Sequence, residues 1–275
     1  MSLNVPDLAE SAFRPDLLKG RTAFVAGGTS GINLGIAARF VQLGARVVVV
    51  GRDAEKARAA AAGLGAPEQA LGLSADVRNY EAVHTALRQA VEAFGPLDIV
   101  VSGAAGNFVA PVLGMSANGF RTVVDIDLMG TFNVFRASHE FVRRPGASLI
   151  AISAGQADHP KTLQAHACAA KAGVNQLVRV LAMEWGREGI RVNAITPGPI
   201  ANTEGMARLA PTPEANARRI ERLALRRYGE ASEVAECAVF LSSASASYVT
   251  GAVLYCDGGS GLGDASDRAL SDGIA

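Results

Sequence analysis

Three glycines in a stretch of small residues are the first candidates for ligand chemistry. Gly27, Gly28 and Gly31 interrupt an apolar run, and apolar residues at helical spacing follow them. Glycine adopts backbone angles closed to other residues and leaves no side chain between the backbone and a ligand. A helix that begins there directs its unpaired N–H groups and the positive end of its dipole at the gap. The spacing therefore predicts a strand, a tight turn and a helix that together bind an anion.

A second candidate for phosphate binding follows the next apolar run. Gly51-Arg52 comes about twenty residues after the glycine turn, where dinucleotide-binding proteins place the residue that contacts the ribose. An acid there would accept hydrogen bonds from the ribose hydroxyls, whereas the guanidinium of Arg52 suits a 2′-phosphate. Asp53 stands one position late and is expected to cap a helix. The residues favour NADP over NAD, and a surface arginine at a helix start is the alternative.

The elements that must position these groups alternate along the chain. Strands are predicted at 22–25, 46–50, 70–74, 97–101, 148–153, 191–196 and 252–256, and helices at 33–43, 54–62, 80–94, 116–142, 164–186 and 232–241. This alternation predicts a single α/β domain with a doubly wound parallel sheet, a Rossmann fold. We place an N-terminal arm at 1–20, the folded domain at 21–259 and a C-terminal tail at 260–275.

The composition narrows the class of protein. The chain has 275 residues and a mass of 28.3 kDa; it is 49% hydrophobic and 5% aromatic, which suits a core of aliphatic side chains. Its 26 basic and 26 acidic residues cancel, so nothing indicates nucleic-acid binding. No apolar run is long enough to span a bilayer, and three widely spaced cysteines are typical of a reducing compartment. The C-terminal residues are not a peroxisomal signal. We expect a cytoplasmic protein with no membrane span and no metal site.

Two further stretches fall at the carboxyl ends of predicted strands, where ligands bind in such sheets. Asp76-Val77 follows the third strand, and Asp76 could accept a hydrogen bond from an adenine amino group. Ala104-Ala105-Gly106 follows the fourth strand and is small enough for an adenosine to lie against its backbone.

Together these residues resemble the short-chain dehydrogenase/reductase family over about 17–259. The resemblance rests on the glycine turn and on the motifs Asp76-Val77, Ala104-Ala105-Gly106, Lys171 in a long helix, Pro197-Gly198-Pro199, Tyr248-Val249-Thr250-Gly251 and Asp257-Gly258-Gly259. It implies contacts of NADP(H) with Gly27, Thr29, Ser30, Gly31, Ile32, Asn33, Arg52, Asp76, Val77, Ala104, Ala105, Gly106, Lys171, Pro197, Gly198, Ile200 and Thr203. Asn33 stands where the family has its third glycine. The family's dimers or tetramers form through the helices at 116–142 and 164–186 and the last strand, which implies a homo-oligomer.

The usual proton donor of this family is missing. Ketoreductases of the family place a tyrosine four residues before the lysine, and a serine about seventeen residues before it. Here those positions hold Ala167 and Ala154, and the helix that carries Lys171 contains no tyrosine. The enoyl reductases of this fold place their tyrosine seven residues before the lysine, and that position is Gln164. An ordinary carbonyl reduction therefore loses most of its support.

Three remaining motifs resemble one branch of the family, the 2,4-dienoyl-CoA reductases, and the peroxisomal type in particular. They are Ala104-Ala105-Gly106-Asn107-Phe108, the stretch at 122–133 that contains Asp127, and His166-Ala167 before Lys171, followed by the stretch at 197–205. That branch reduces a conjugated dienoyl thioester to a 3-enoyl-CoA with NADPH, and its peroxisomal members also lack the tyrosine. The resemblance implies that Asp127 and Lys171 are catalytic. It also implies an acyl-CoA substrate held by Asn107, Phe108, Ser116, Asn118 and Arg208.

An arginine-rich segment is a candidate lid over that substrate. The lid at about 198–229 carries Arg208, Arg218, Arg219, Arg222, Arg226 and Arg227, which would suit the phosphates of coenzyme A. Pro211 and Pro213 favour a hinged segment over a fixed helix. A solvated basic face is the alternative.

Several simpler interpretations stay open at this stage. Asp127 could be an ordinary interface or surface acid, Lys171 a solvated helix lysine, and Phe108 plain core. His166 could act as an acid or base, or be a structural histidine. For the whole chain, another oxidoreductase acting on an acyl-CoA, an acyl-carrier protein or a ketone is one alternative. A dinucleotide-binding scaffold or sensor without catalysis is the other.

Overall fold

A computed structural model describes residues 12–203 and 212–266. Its seven strands form one parallel sheet in the order β3-β2-β1-β4-β5-β6-β7. The strands are β1 (Thr22–Ala26), β2 (Arg46–Gly51), β3 (Ala70–Ser74), β4 (Ile99–Ser102), β5 (Ser148–Ile152), β6 (Arg191–Pro197) and β7 (Val253–Cys256). The direction of strand order reverses between β1 and β4, which defines the topological switch point of the fold. The predicted doubly wound sheet is confirmed.

Helices cover both faces of the sheet. They are α1 (Gly31–Gln42), α2 (Ala54–Leu64), α3 (Tyr80–Phe94), α4 (Ala117–Val124), α5 (Gly130–Ser138), α6 (Ala165–Trp185), α7 (Pro213–Glu221) and α8 (Ala231–Ser242). Between α4 and α5 the chain makes five residues of π-helix, Asp125–Met129. No helix in the described ranges has the length and apolar character needed to cross a membrane.

The side chains of β2 show how the sheet is buried. Val48 and Val50 pack into a core with α3, α5 and α6, while Val47 and Val49 pack into a second core with α1 and α8. Successive side chains of a strand point to opposite faces, so an uninterrupted valine run suits a strand covered on both sides. The two cores hold the strand ends rigidly, and those ends carry the candidate site.

Buried charged groups connect elements distant in sequence. Arg39 of α1 is fully buried, and its Nε donates to Glu236 Oε1 of α8 at 2.6 Å. At the amino end of β4, Asp98 accepts hydrogen bonds from Arg21 Nη1 at 2.7 Å and from Arg143 Nε at 2.9 Å. These pairs lie away from the strand ends that hold the candidate site, and we interpret them as structural.

Three predicted segments differ from the structure. The helix expected at 116–142 ends at Ser138, because Val142 instead pairs with Leu97 beside β4. The arm expected on the surface is fixed at its inner end, where Leu18 is 1% exposed and packs against the second core. Part of the expected lid is a regular helix, since Pro213 occupies the first turn of α7, where its missing N–H costs nothing. Arg208 and Pro211 lie outside the described residues.

Candidate active site

The glycine turn lies at the carboxyl end of β1, beside the switch point. Gly27 and Gly31 adopt φ angles of +76° and +57°, which are left-handed conformations that other residues adopt only with strain. A Cβ on Gly27 would lie 2.6 Å from the backbone nitrogen of Ala104, so only glycine lets the turn approach the end of β4. A Cβ on Gly31 would meet no atom within 4 Å, so that side of the turn opens onto free space.

The first turn of α1 is built to receive an anion. Ser30 occupies the N-cap position, but its side chain makes no capping hydrogen bond to the helix, and no acidic residue stands in the first turn. The amide groups of the turn therefore keep their donors for a ligand, and the helix dipole favours negative charge there. Together with the open side of Gly31, this arrangement fits the pyrophosphate of a dinucleotide.

Asn33, at the position of the family's third glycine, makes hydrogen bonds that connect the ends of two strands. Its Nδ2 donates to the backbone oxygen of Gly103 at 2.8 Å and to that of Gly27 at 3.4 Å. The side chain is 8% exposed, and a Cβ on Gly103 would lie 2.2 Å from Asn33 Oδ1. Asn33 thus joins the glycine turn to the end of β4, a role that the sequence prediction of a cofactor contact did not anticipate.

The ends of β2 and β3 hold two arginines and two acids. Arg52 is exposed, and within the described ranges its guanidinium has no ion-pair partner. Asp76 forms a two-pronged ion pair with Arg78, at 3.0 Å from Nε and 2.5 Å from Nη2. This hydrogen bonding, helped by the charge of Arg52, lowers the pKa of Asp76 below its usual value. Arg78 was missed in the sequence; its position directly after Asp76-Val77 was the available signal.

Asp53 caps α2 as predicted, since its Oδ1 accepts from Lys56 N at 3.0 Å.

Asp127 and Lys171 form a buried ion pair at the centre of the site. Lys171 Nζ lies 3.2 Å from Asp127 Oδ2 and donates to the backbone oxygen of Ile152, at the end of β5, at 2.9 Å. Asp127 Oδ1 accepts the backbone N–H of Gly106 at 2.7 Å. The two residues are 1% and 6% exposed, respectively. The surface-acid interpretation of Asp127 and the solvated-lysine interpretation of Lys171 are therefore wrong.

The π-helical segment explains how Asp127 reaches this position. Asp127 is the middle residue of this segment. The backbone oxygen of Asp127 accepts a hydrogen bond from the side chain of Thr131, whose Oγ1 lies at 2.7 Å. Ser102 Oγ, at the end of β4, donates to the same Thr131 hydroxyl at 3.2 Å. A wider helical turn of this kind shifts the side-chain directions that follow it, and such turns occur frequently at functional sites.

The positions of the family tyrosine and serine offer no hydroxyl to the site. Ala167 is 4% exposed on the same helix as Lys171, and Ala154 follows β5. The neighbouring Ser153 cannot substitute, because its Oγ is buried and donates to Asn175 Oδ1 at 2.6 Å. The Asp127–Lys171 pair supplies charged groups next to the end of β5, and Asn175 connects Ser153 to a further carboxylate, since its Nδ2 donates to Asp158 Oδ2 at 3.1 Å.

The predicted substrate residues lie along the loop after β4 and at the start of α4. Asn107 Nδ2 donates to Gln164 Oε1 at 3.0 Å, and Gln156 Nε2 donates to the same oxygen at 2.9 Å. Phe108 is 38% exposed, so the plain-core interpretation is wrong, and its ring centroid lies 4.2 Å from that of His166. Ser116 caps α4 by accepting the Gly119 N–H at 3.0 Å, and Asn118 is exposed in the first turn of that helix. Gln156 and Gln164 were not predicted as functional residues.

The turn after β6 brings the last cofactor candidates to the same edge of the sheet. A Cβ on Gly198 would lie 2.5 Å from the backbone oxygen of Asp257, so this turn packs directly on the end of β7. Ile200 is buried in the second core, and Thr203 Oγ1 donates to its backbone oxygen at 2.8 Å. Pro197, Gly198, Ile200 and Thr203 therefore lie at the strand edge where the cofactor was expected, in a firmly packed turn.

Comparison with known proteins agrees with this geometry. A family model described as enoyl-(acyl carrier protein) reductase matches residues 26–261. The peroxisomal 2,4-dienoyl-CoA reductase of Pongo abelii is 42% identical, over 94% of this chain and 90% of that protein. That of Saccharomyces cerevisiae is 41% identical over 92% and 88%. A crystal structure of a short chain dehydrogenase from Bacillus anthracis superposes with a TM-score of 0.79 at 37% identity, covering 88% of this chain and 97% of that one.

The fold and the strand-edge site define an NAD(P)-dependent oxidoreductase class, and the chain belongs to the short-chain dehydrogenase/reductase family. Within that family it is similar to proteins named 2,4-dienoyl-CoA reductase.

Proposed function

We propose that the protein reduces a 2,4-dienoyl-CoA to a 3-enoyl-CoA with NADPH, as an auxiliary enzyme of fatty-acid oxidation. The observation that supports this most directly is the buried Asp127–Lys171 pair, beside alanines at both hydroxyl positions of the ordinary ketoreductase. The names of relatives at 41–42% identity point to the same substrate class.

The chemistry explains why a tyrosine is dispensable. NADPH, when bound, would supply a hydride for the far carbon of the diene. Negative charge then spreads over the substrate as a dienolate that ends on the thioester oxygen. The step that remains is protonation at carbon, so an acid pressed against a carbonyl oxygen is not required. What the protein must hold in place is a proton source close to that carbon.

Asp127 and Lys171 can hold a water molecule for this step. The Lys171 ammonium has three N–H donors, of which the Ile152 carbonyl takes one, so donors are left for a water and for a ribose hydroxyl beside the Asp127 charge. The Asp127 carboxylate keeps lone pairs beyond those used by Gly106 and Lys171. A water between them would be polarised and aimed, and it would deliver a proton to the substrate carbon while the Lys171 ammonium reprotonates the hydroxide that is left and regains its own proton from solvent.

The cofactor would lie across the switch point. The glycine turn and the first turn of α1 fit its pyrophosphate, and Arg52 suits a 2′-phosphate. Lys171 would also bind the nicotinamide ribose, as the family resemblance implies. The turn containing Pro197, Gly198, Ile200 and Thr203 would contact the nicotinamide end of the cofactor.

The acyl-CoA would enter over the loop after β4. Asn107 and Phe108 follow the Gly106 amide that Asp127 accepts, so they lie next to the ion pair, and Ser116 and Asn118 stand further out at the start of α4. Arg208 of the proposed lid would bind phosphates of coenzyme A. In the described part of the lid, Arg222 and Arg227 are ion-paired with Asp264 and Glu233. The Arg208→Ala change should raise KM for long CoA thioesters if the lid closes over them.

A direct assay tests the proposed reaction. The purified protein is mixed with NADPH and 2,4-hexadienoyl-CoA, the loss of NADPH absorbance is followed, and the product is identified by mass spectrometry and NMR. Formation of a 3-enoyl-CoA is the expected result. Turnover of a 2-enoyl thioester or of a ketone, but not of the dienoyl-CoA, would instead favour another reductase of the same family.

The loss of both hydroxyl residues also favours one alternative of another class, a dinucleotide-binding scaffold or sensor. Its signature is NADPH bound with micromolar affinity and no turnover of any of these substrates. The burial of a complete ion pair at the strand edge argues against it, because an unused buried pair carries a desolvation cost of several kcal/mol per ion.

We also propose that the protein is a homo-oligomer through α4, α5 and α6. Large apolar side chains are exposed on these elements and on the π-helical segment: Phe120, Met129, Phe132, Val180 and Met183, the last at 85% exposure. A patch of this kind is typical of a subunit interface. The Phe132→Glu and Met183→Glu changes should shift the species measured by light scattering towards the monomer.

A cytoplasmic location stays part of the proposal. The cysteine usage supports it, whereas the relatives' names include the word peroxisomal. Fractionation of cells that produce the tagged protein distinguishes the two.

A further inference from the structure

His166 is the most unusual polar residue near the ion pair. Its side chain is fully buried, and apart from the adjacent backbone of Phe108, which acts to raise its pKa, neither Nδ1 nor Nε2 has a hydrogen-bond partner among the described residues. Buried polar atoms are almost always hydrogen-bonded, and an imidazole left without partners in the interior costs roughly 1–3 kcal/mol per lost bond. A structural histidine would be expected to have partners for both ring nitrogens. The exception therefore needs a reason.

The surroundings of His166 connect it to Asp127. Its ring lies against that of Phe108, with 4.2 Å between centroids. Phe108 stands two residues after Gly106, whose N–H is bound by the Asp127 carboxylate. Lys171, the other member of the pair, follows His166 by five residues on α6, about one and a half turns further along the helix. The loop after β4 thus connects the imidazole to Asp127, and the charge of Asp127 acts on the pKa of His166.

The charge state of the imidazole limits its role. Burial lowers the pKa of His166 below its usual value, and the nearby Asp127 carboxylate and the Phe108 backbone oppose this shift without reversing it. The ring is therefore neutral at neutral pH. A neutral imidazole has one N–H donor and one nitrogen acceptor, so it can orient a water but has no spare proton to give.

We propose that His166 is a positioning residue that orients the proton-delivering water held by Asp127 and Lys171. A buried water typically makes about three hydrogen bonds to protein groups, and the carboxylate, the ammonium and the imidazole supply such a set. The imidazole fixes the third direction of the water, so that one of its O–H bonds points at the substrate carbon. This inference rests on the proposed reduction of a 2,4-dienoyl-CoA.

The role explains why the loss of the family hydroxyls can be tolerated. In an ordinary ketoreductase the tyrosine carries the proton on a fixed ring, whereas a water must be held from several sides to be equally well placed. His166 stands directly before Ala167, the residue at the tyrosine position. On α6 the polar ring thus stands one position before that of the family tyrosine. It orients the proton donor instead of donating the proton itself.

Two substitutions separate positioning from packing. The His166→Phe change keeps a ring against Phe108 and removes both nitrogens. The His166→Gln change keeps one donor and one acceptor on a smaller side chain. His84→Phe is the matched control, because His84 lies on α3, pairs with Glu140 and has no part in the site. For each protein the assay measures kcat and KM for 2,4-hexadienoyl-CoA, the Kd for NADPH, Tm, and the solvent deuterium isotope effect on kcat.

We expect His166→Phe to lower kcat about tenfold to hundredfold and to raise the solvent isotope effect, with KM and the NADPH Kd within about threefold of the original protein. His166→Gln should recover at least about tenfold of the lost kcat, and His84→Phe should keep the original kcat. A His166→Phe protein with unchanged kcat overturns the proposal. So does a loss of kcat that follows Tm and NADPH affinity, leaves the isotope effect unchanged and is not rescued by glutamine.

Turnover by the original protein distinguishes a failure of this inference from a failure of the proposed function. If it does not turn over a 2,4-dienoyl-CoA, the proposed function fails, and the role of His166 fails with it. If it does turn over the dienoyl-CoA while His166→Phe behaves as the original, only the role of His166 is wrong.

Discussion

The carboxylate of Asp127 lies 3.2 Å from Lys171 Nζ, and both side chains are withdrawn from solvent. Their elements are far apart in the chain, since Asp127 belongs to the π-helical segment and Lys171 to α6. Each charge is also fixed by backbone, Asp127 by the N–H of Gly106 and Lys171 by the carbonyl of Ile152. Both charges are therefore fixed at the point where the proposed mechanism places a polarised water.

Neutralising one member of this pair should remove activity, and the charge left buried without its partner should also lower the free energy of unfolding by about 3–5 kcal/mol. The Asp127→Asn change keeps an oxygen that can accept the Gly106 N–H but removes the negative charge beside Lys171. We expect kcat for a dienoyl-CoA to fall by about 10²–10⁴-fold, the usual contribution of a positioned proton-transfer group. Lys171→Met should lower kcat similarly and also weaken NADPH binding, because Lys171 is expected to contact the ribose. Stopped-flow assays and NADPH titrations measure both.

Asp125→Asn provides the matched control for this charge. Asp125 stands in the same π-helical segment, is only half-buried and forms no ion pair with Lys171 in the described part of the chain. Its kcat should stay within about twofold of the original. Full turnover by Asp127→Asn would show that this carboxylate is not part of the proton delivery.

Arg52 should set the preference for NADPH over NADH. Its guanidinium is exposed and unpaired in the described ranges, whereas Arg78 is occupied by Asp76. A charge-assisted hydrogen bond contributes about 1.5–3 kcal/mol, so Arg52→Ala should lower the ratio of kcat/KM for NADPH to that for NADH by about 10–100-fold. Arg58→Ala on α2 should leave the ratio unchanged, since Arg58 pairs with Glu55 away from the strand ends. An unchanged ratio for Arg52→Ala would mean that other groups bind the phosphate.

The sequence predicted the parts of the fold that depend on local pattern. The valine run of β2, the alternation of strands and helices and the glycine turn each carry a signal within a few residues, and all appear at the expected places. Asp53 was correctly assigned as a helix cap, because that role depends only on the residue and the helix that follows it. Lys171 was placed on the right helix for the same reason.

The contacts within the site could not be predicted from local sequence patterns. The π-helical segment around Asp127 has no composition of its own, so one continuous helix was predicted there. The bond from Asn33 to Gly103 joins residues 70 positions apart. His166 on α6 packs against Phe108, which comes from the loop after β4. Each of these results from packing between distant segments, and single-sequence patterns do not report such packing.

The contact between Asn33 and Gly103 should appear as a strong coupling between two substitutions. Gly103→Ala would place a Cβ 2.2 Å from Asn33 Oδ1, so we expect it to lower the free energy of unfolding by about 1–3 kcal/mol. Asn33→Gly alone should also destabilise, because the carbonyl of Gly103 loses its donor. In the double variant the clash is gone, so the loss should be about 1 kcal/mol or more below the sum of the single losses. Urea denaturation of the four proteins measures this.

Gly63→Ala serves as the control for the glycine change. A Cβ on Gly63 would meet no atom within 4 Å, and the residue lies inside α2, where alanine is favoured by about 0.5–1 kcal/mol. It should therefore stabilise the protein slightly. Additive losses for Asn33→Gly and Gly103→Ala would contradict the contact.

The lowered pKa of His166 should make the stability of the protein depend on pH in a defined direction. Burial keeps the imidazole neutral in the folded state, whereas in the unfolded chain it takes up a proton near its ordinary pKa of about 6.5. The stabilisation is therefore complete above about pH 6.5 and is lost as the pH falls towards the folded pKa, because only the unfolded state binds the proton in that window. Below the folded pKa the contribution is constant.

The His166→Phe protein removes this contribution, so its free energy of unfolding should fall less steeply than that of the original between about pH 6.5 and pH 5. Carboxylates elsewhere titrate equally in both proteins, so the difference between the two urea-denaturation profiles isolates the imidazole. In the Asp127→Asn background the carboxylate no longer opposes the shift, so the same difference should extend to lower pH. Parallel profiles for the original and His166→Phe proteins would mean that His166 is not held neutral in the folded state, and that the charge assigned to the ring in the proposed site is wrong.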